Sequence, residues 1–243
     1  MIFGIEFKTL LAAALGGILP TILWLRFWWR DDKHNHGHGI LVLTFAAGMV
    51  SVMIALPLEQ LVADLLYNTT HVVIAAASIE EILKFLIVAL IAFSAFCIKG
   101  PTDYARFLIT GALGFAALEN TLFLIEPITH QGTVISILTG NLRFLGATVL
   151  HTVASASIGA IIGLAFYKSR FSKIIHMLVG LLTAITLHTI FNFFIMKGTT
   201  ESIVTVLAVL WVSAILLLVV FEKLKQLHKH NEYLSNLKQN HYV

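Results

Sequence analysis

The chain has 243 residues, of which 58% are apolar and only 12% are charged, and its mean hydropathy is +0.89. A soluble globular domain carries about 25% charged residues, so this composition excludes an ordinary soluble fold and indicates a polytopic membrane protein. The length permits one compact bundle without a separate soluble domain. The formal charge of +3 is typical of a membrane protein whose cytoplasmic loops are rich in Lys and Arg, so no nucleic-acid partner is expected.

Seven apolar segments are long enough to cross a bilayer as helices, and they predict an all-α transmembrane bundle. They run over residues 7–29, 40–61, 71–98, 107–125, 145–167, 174–196 and 203–221. A shorter apolar run, residues 134–144, is interrupted by Asn141 and Arg143 and predicts an interfacial or re-entrant helix. Residues 1–222 are expected to form a single transmembrane domain, with 223–243 as a polar cytoplasmic tail.

The basic residues predict how the bundle is oriented. The first segment ends in Arg26, Phe27, Trp28, Trp29 and Arg30, which is a membrane anchor and not a signal-peptide cleavage site. Twelve Lys and Arg residues lie at one set of segment ends, whereas only Lys8 and Lys197 lie at the opposite set. The positive-inside rule therefore places the amino terminus outside and the carboxyl terminus in the cytoplasm.

The third segment carries an unusual charged stretch, SIEEILKF, at residues 78–85. One ionised side chain at the centre of a bilayer costs about 2.5–3.5 kcal/mol on insertion scales. On a helix Lys84 lies four residues after Glu80 and three after Glu81, so its ammonium reaches either carboxylate. The two carboxylates point about 100° apart, which allows one to face a cavity while the other contacts a neighbouring helix.

Three further segments carry polar residues at helical spacing. The fourth segment has Glu119, four residues after Phe115, followed by Asn120. The fifth has His151, Ser155 and Gly159, and the sixth has His188 and Asn192. The alternating topology puts Glu80, Glu119, His151 and His188 roughly 9–15 Å below the outer surface. A lone His or Asn in a span is usually a helix contact, and the GxxxG of Gly159 and Gly163 usually signifies close packing. Several ionisable groups at one depth, however, indicate a single functional site.

Two chemistries fit these residues. In the first, His151, His188 and Glu119 bind Zn²⁺ and leave one position for water, while Glu80 or Glu81 takes the proton as general base. Three glutamates against one lysine leave two negative charges, which a divalent cation cancels. In the second, no metal is present, Glu80 activates water directly, and His188 with Asn192 donates hydrogen bonds to the oxyanion.

The motifs in their order resemble the PrsW family of intramembrane proteases. They are EExxK (Glu80, Glu81, Lys84), FxxxEN (Phe115, Glu119, Asn120), HxxxSxxxG (His151, Ser155, Gly159) and HxxxN (His188, Asn192), and they cover the third to sixth segments. The family's first motif often has a third glutamate where this chain has Ile79. The related CAAX prenyl endopeptidases resemble the PrsW family and carry the motifs EExxxR and FxxxH. This chain differs from them because Lys84 lies one position earlier than that arginine and Glu119 replaces that histidine.

The resemblance implies hydrolysis of peptide bonds in membrane-anchored proteins near the outer face of a bacterial cell membrane, the family example being site-1 cleavage of anti-sigma factors. Such a protein has two partners, its membrane-anchored substrate and the lipid bilayer. Catalytic roles then fall to Glu80, Glu81, Lys84, Asn120 and Asn192, and metal binding to Glu119, His151 and His188. The family is usually classed as metallopeptidase, whereas the related prenyl endopeptidases are described with a glutamate-based mechanism, so both chemistries stay open.

Other interpretations come from different classes of protein. A proton- or cation-coupled transporter also places carboxylates and histidines at one depth, but the chain shows no convincing internal repeat. A catalytically silent scaffold is disfavoured because every candidate catalytic residue is retained. The His-rich loop with His34, His36 and His38 is a weaker metal-binding candidate and more simply a solvated loop.

Overall fold

A computed structural model describes residues 6–29, 37–93 and 97–240, and these residues form a helical bundle without strands. The α-helices are α1 (Phe7–Trp29), α2 (His38–Leu65), α3 (Thr69–Ala92), α4 (Asp103–Glu126), α5 (Thr133–Leu142), α6 (Thr148–Gly163), α7 (Arg170–Lys197) and α8 (Thr200–Asn240). Two π-helical segments, Pro127–Gln131 and Arg143–Ala147, follow α4 and α5. The predicted all-α class is confirmed.

Six helical runs in the described part of the chain are long and apolar enough to cross a membrane. They contain every helix except α3, which is 24 residues long and carries Glu80, Glu81 and Lys84 at its centre. Those three charges separate α3 from the other runs, since its length equals that of α4. The chain is therefore an integral membrane protein in which α3, with three charged residues at its centre, lies among six apolar runs.

Local signals set where several helices begin and end. The side chain of Asn68 caps α3 by accepting hydrogen bonds from the backbone N–H groups of Thr70 (2.8 Å) and His71 (3.4 Å). Ser169 caps α7 in the same manner, and α7 ends at Gly198, whose φ of 67° is the left-handed conformation that glycine adopts most readily. These caps fix the lengths of the helices that carry the EExxK and HxxxN motifs.

The centre of the bundle is formed by α4, most of whose residues are buried, and by α6, of whose residues all but one are buried. Small residues let the backbones of neighbouring helices touch: a Cβ on Gly159 would overlap the backbone of Ala105, and a Cβ on Gly48 would overlap that of Gly111. Helix α4 thereby packs directly on α2 and α6. These backbone contacts hold the helices that carry Glu119 and His151 at a short, fixed separation.

The outer helices present apolar side chains away from the bundle. In α1, α7 and α8 only a minor part of the apolar span is buried, and side chains such as Leu23, Leu182 and Leu216 are exposed. In water such surfaces would be a liability, but in a bilayer they are the surface that contacts lipid. The bundle thus has an apolar exterior, and its buried polar groups lie within a largely apolar core.

Two elements differ from the sequence-based expectation. Residues 134–144 do not form a separate interfacial or re-entrant helix, because α5, the segment Arg143–Ala147 and α6 form one continuous helical run, Thr133–Leu164. The boundary predicted after residue 222 falls inside α8, which continues unbroken to Asn240. The division into domain and tail stays a prediction.

Candidate active site

Lys84 lies at the centre of the buried polar cluster. Its Nζ donates a hydrogen bond to Glu81 Oε1 at 2.6 Å and contacts His151 Nδ1 at 2.8 Å, while Glu80 Oε2 lies 3.8 Å away. The ring of Phe115 lies beneath the ammonium, with its centroid 4.5 Å from Nζ. Glu81 and Lys84 are 0% and 1% exposed, so this ion pair is shielded from water.

His188 joins α7 to this cluster. Its Nδ1 lies 2.8 Å from Glu81 Oε1, and its Nε2 lies 3.8 Å from Glu80 Oε1. A carboxylate only accepts hydrogen bonds, so Nδ1 carries the proton and donates it to Glu81. The lone pair of Nε2 therefore faces Glu80.

His151 has two charged partners, one at each ring nitrogen. The ammonium of Lys84 only donates, so Nδ1 accepts, and Nε2 donates to Glu119 Oε2 at 2.9 Å. Glu80 Oε2 lies 3.9 Å from Nδ1. The contacts therefore specify the neutral tautomer of His151 with its proton on Nε2.

Glu80, His151 and His188 each place one ligand atom within 4.8 Å of those of the other two. Two imidazoles and a carboxylate are the donor set of many catalytic zinc sites. Glu80 Oε2 is buried without a hydrogen-bond partner among the described residues, as expected of an oxygen that has a cation to meet. Each histidine also has a carboxylate on its other side, Glu81 or Glu119, which is the usual partner of a metal-bound imidazole. The residues present thus fit a divalent metal, which would take the place of the Lys84 ammonium at Nδ1 of His151.

A cavity of about 400 Å³ opens beside this group. Glu80, Glu119, His151, His188 and Asn192 line it, and its remaining walls come largely from apolar residues of α2, α3, α4, α6 and α7. The wall includes the end of α2, the beginning of α3 and the end of α7, so the cavity lies toward one end of the bundle. It is the end that the basic residues predict to be outside.

Three residues expected at the site are buried behind the cavity and do not line it. They are Glu81, Lys84 and Asn120. Asn120 donates from Nδ2 to Thr148 Oγ1 at 2.9 Å and accepts at Oδ1 from Arg143 Nε at 2.6 Å. Because adjacent residues on a helix point about 100° apart, Glu119 faces the cavity while Asn120 faces the next helix.

Two charged residues of the cavity wall were not among the residues expected at the site. Arg143 Nη2 lies 2.7 Å from Glu119 Oε2, and Glu59, half-buried near the end of α2, also lines the cavity. In the sequence, Arg143 is recognisable only as an interruption of a short apolar run. The signal was its charge, since a cation within an apolar stretch usually has an acidic partner. Four carboxylates against two cations still leave two negative charges around the site.

The remaining residues singled out in the sequence have plainer positions. Ser155 is buried in α6, and Gly159 contacts the backbone of α4, so the HxxxSxxxG motif serves helix packing beyond its histidine. His38 begins α2, whereas His34 and His36 lie outside the described residues.

Acidic residues and histidines around a cavity in a membrane-spanning bundle are characteristic of integral membrane enzymes and transporters. A family model described as PrsW family intramembrane metalloprotease matches residues 37–220, which is more than half of the chain and includes all four motifs. The chain therefore belongs to the PrsW family of intramembrane proteases. No curated protein and no solved structure matches it.

Proposed function

We propose that the cavity beside Glu80, His151 and His188 is the active site of a metal-dependent protease that cleaves membrane-anchored proteins near the outer face of the cell membrane. The observation that carries the proposal is the grouping of these three ligand atoms within 4.8 Å at the wall of a cavity of about 400 Å³. Most of the cavity wall is apolar, and the polar groups converge at one place. Such a site accommodates an extended peptide segment and orients one bond of it.

The orientation of the bundle supports cleavage near the outer face. The basic residues concentrate at the bundle end opposite the cavity, so the positive-inside rule assigns the cavity to the outer half. The resemblance to the family adds a substrate class, anti-sigma-factor-type proteins anchored in the membrane. A cysteine placed at Thr199, in a Cys97→Ser background, should react with an impermeant reagent from outside. A cysteine at Lys223 should react only after permeabilisation, and the reverse pattern would contradict this orientation.

Glu80, His151 and His188 would hold the metal, with zinc as the metal that best suits two imidazoles and a carboxylate. A zinc ion when bound polarises a carbonyl and lowers the pKa of a water. From the sequence alone, Glu119 is the expected third ligand and Glu80 or Glu81 the expected base. The ion pair of Glu119 with Arg143, at 2.7 Å, favours Glu80 as the ligand because Glu119 already has a cation partner.

The protein's own groups divide the remaining work. Glu81 accepts a hydrogen bond from His188 Nδ1 and so directs the lone pair of Nε2 toward Glu80. Lys84 offsets the charge of Glu81 at 2.6 Å, which permits a carboxylate that is 0% exposed. Asn192 lines the cavity with a hydrogen-bond donor suited to a peptide carbonyl.

The test is metal content measured beside turnover of a membrane-anchored peptide by the purified full chain. Glu80→Gln should lose most of its metal together with its activity, because an amide oxygen is a weaker ligand than a carboxylate. Glu126→Gln is the matched control, since Glu126 also lies on the cavity side of the bundle but pairs with Gln131 outside the site. It should change neither quantity.

The other outcomes of this experiment separate the alternatives. If Glu80→Gln keeps its metal and loses turnover, Glu80 is the base and Glu119 regains the ligand role. A wild type that is active without metal and resists chelators would instead support the glutamate mechanism, in which Glu80 activates water directly. A wild type that cleaves nothing but carries protons or cations across vesicles would establish the transporter.

A further inference from the structure

We propose that Arg143 is a positioning residue: held by Asn120, it fixes Glu119 against Nε2 of His151 and so holds the His151 ring with Nδ1 toward the site. The inference deepens the proposed function and, in its consequence for metal binding, rests on it. It also gives Asn120 a task, since the side chain of Asn120 does not line the cavity.

The guanidinium of Arg143 is fixed on three sides. Its Nε donates to Asn120 Oδ1 at 2.6 Å, its Nη2 lies 2.7 Å from Glu119 Oε2, and its Cζ lies 4.0 Å from the centroid of the Phe123 ring. A planar group with donors in two directions suits this arrangement, whereas a lysine has a single point of charge. The three contacts come from one side of α4.

The backbone explains how Arg143 reaches α4. Arg143 begins the π-helical segment Arg143–Ala147, between α5 and α6. A π turn adds a residue to the turn and shifts the direction of the side chains before it relative to those after it; such turns recur at functional sites. The segment thus allows Arg143 to face Glu119 and Asn120 while His151, two turns later, also faces Glu119.

The consequence for His151 follows from the two groups that meet Glu119, an ion pair with Arg143 and a hydrogen bond with His151. Glu119 lies between Arg143 and His151, 2.7 Å from Nη2 of the first and 2.9 Å from Nε2 of the second. While Arg143 holds it there, Glu119 accepts a hydrogen bond from Nε2. The lone pair of Nδ1 then points to the side of Lys84 and Glu80. Without the guanidinium, Glu119 would be a buried carboxylate with only a neutral imidazole as partner, and it would rotate toward water in the cavity.

The first measurement needs neither metal nor substrate. In metal-free full-length protein with ¹⁵N-labelled histidine, the His151 signal (identified by its loss in His151→Gln) should report the tautomer protonated at Nε2 alone. Arg143→Gln should shift the His151 Nε2 signal, because Glu119 no longer accepts its hydrogen bond, while Lys84 keeps Nδ1 as an acceptor. Arg170→Gln is the matched control, because Arg170 is exposed at the beginning of α7, and it should leave the spectrum unchanged.

The second measurement is the metal affinity by chelator competition, together with kcat and KM. Removing an outer partner of a metal ligand typically lowers affinity or activity about 10–100-fold. Arg143→Gln should show a loss of this size in metal affinity and in kcat, with KM unchanged. Arg143→Lys should lie between it and the wild type, and Asn120→Ala combined with Arg143→Gln should be no worse than Arg143→Gln alone.

The results that overturn the inference differ from those that overturn the proposed function. If Arg143→Gln leaves the His151 Nε2 signal and the metal affinity unchanged, Arg143 is not a positioning residue. If it only raises KM, Arg143 binds the substrate directly. A wild type without metal and without turnover rejects the proposed function, while the His151 Nε2 signal still decides whether Arg143 holds Glu119 on His151.

Discussion

Each of the two histidines of the site belongs to a unit that also contains one glutamate and one basic residue, and the two units differ in burial. The inner unit is His188, Glu81 and Lys84, and the outer unit is His151, Glu119 and Arg143. In each, a carboxylate lies between an imidazole and a cation, at 2.8 and 2.6 Å in the inner unit and at 2.9 and 2.7 Å in the outer.

The surroundings of the two carboxylates separate the units. Glu81 is 0% exposed, whereas the side chains of Glu119 and Arg143 are each 16% exposed where they border the cavity. A buried charge that loses its partner has no water to replace it, but a charge at a cavity wall does. We therefore expect the inner unit to matter more for stability, and the outer unit to be adjustable without unfolding the bundle.

The largest effect should be common to both units. His188→Ala and His151→Ala should each lose bound metal and turnover, by more than the 10–100-fold typical of an outer partner, because each removes an imidazole ligand. Metal per protein measured by mass spectrometry, beside peptide cleavage, checks this expectation. A variant that retains the wild-type metal content would remove that histidine from the ligand set.

A smaller effect should distinguish the units by stability. Lys84→Met leaves Glu81 without its cation and should cost about 3–5 kcal/mol of unfolding free energy. Arg143→Met should cost less, since water in the cavity reaches Glu119. The measurement is unfolding of the full chain in detergent micelles. Adding Glu81→Gln to Lys84→Met should recover part of the loss, and equal losses for the two methionine variants would refute the comparison.

Gly159→Ala should act on the outer unit through the backbone. A Cβ at Gly159 would overlap the backbone of Ala105, so α4 and α6 must separate, at a cost of about 1–3 kcal/mol. Since Glu119 and His151 lie on these two helices, the ¹⁵N signal of His151 should shift while that of His188 stays. Gly37→Ala is the control, because a Cβ there meets nothing within 4 Å. Equal shifts in both histidines would mean that the units are not separable.

The smallest effect is expected at Glu59, which lines the cavity but lies within neither unit. Glu59→Gln should keep its metal and change stability by no more than about 0.5 kcal/mol, as for substitutions away from special features. Turnover and unfolding measured together sharpen the comparison, because a large loss here would make Glu59 a third part of the site.

The sequence predicted the fold and the main polar residues because both depend on local pattern. Apolar length specifies a membrane helix, and alternation of direction puts Glu80, Glu119, His151 and His188 at one depth. The sequence did not place Arg143 at the site, because a π-helical segment has no distinctive sequence pattern. In addition, the apolar run that contains Arg143 is short and gives no sign that it continues into α6. Glu59 follows Pro57 at the end of a predicted segment, where a charge is unremarkable. The position of Asn120 behind the cavity depends on helix rotation, which packing against α6 determines.

The length of α8 has a mechanical consequence. From Phe221 to Asn240 the helix continues for nineteen residues, which is about 28 Å at 1.5 Å per residue. Near the beginning of this stretch Leu224 is buried against Gly163 of α6, and the His228 ring contacts the Tyr167 hydroxyl at 2.6 Å. The remainder of α8 extends beyond these contacts with the end of the helix that carries His151. A load on this extension would therefore act on the end of α6 that lies opposite the active site.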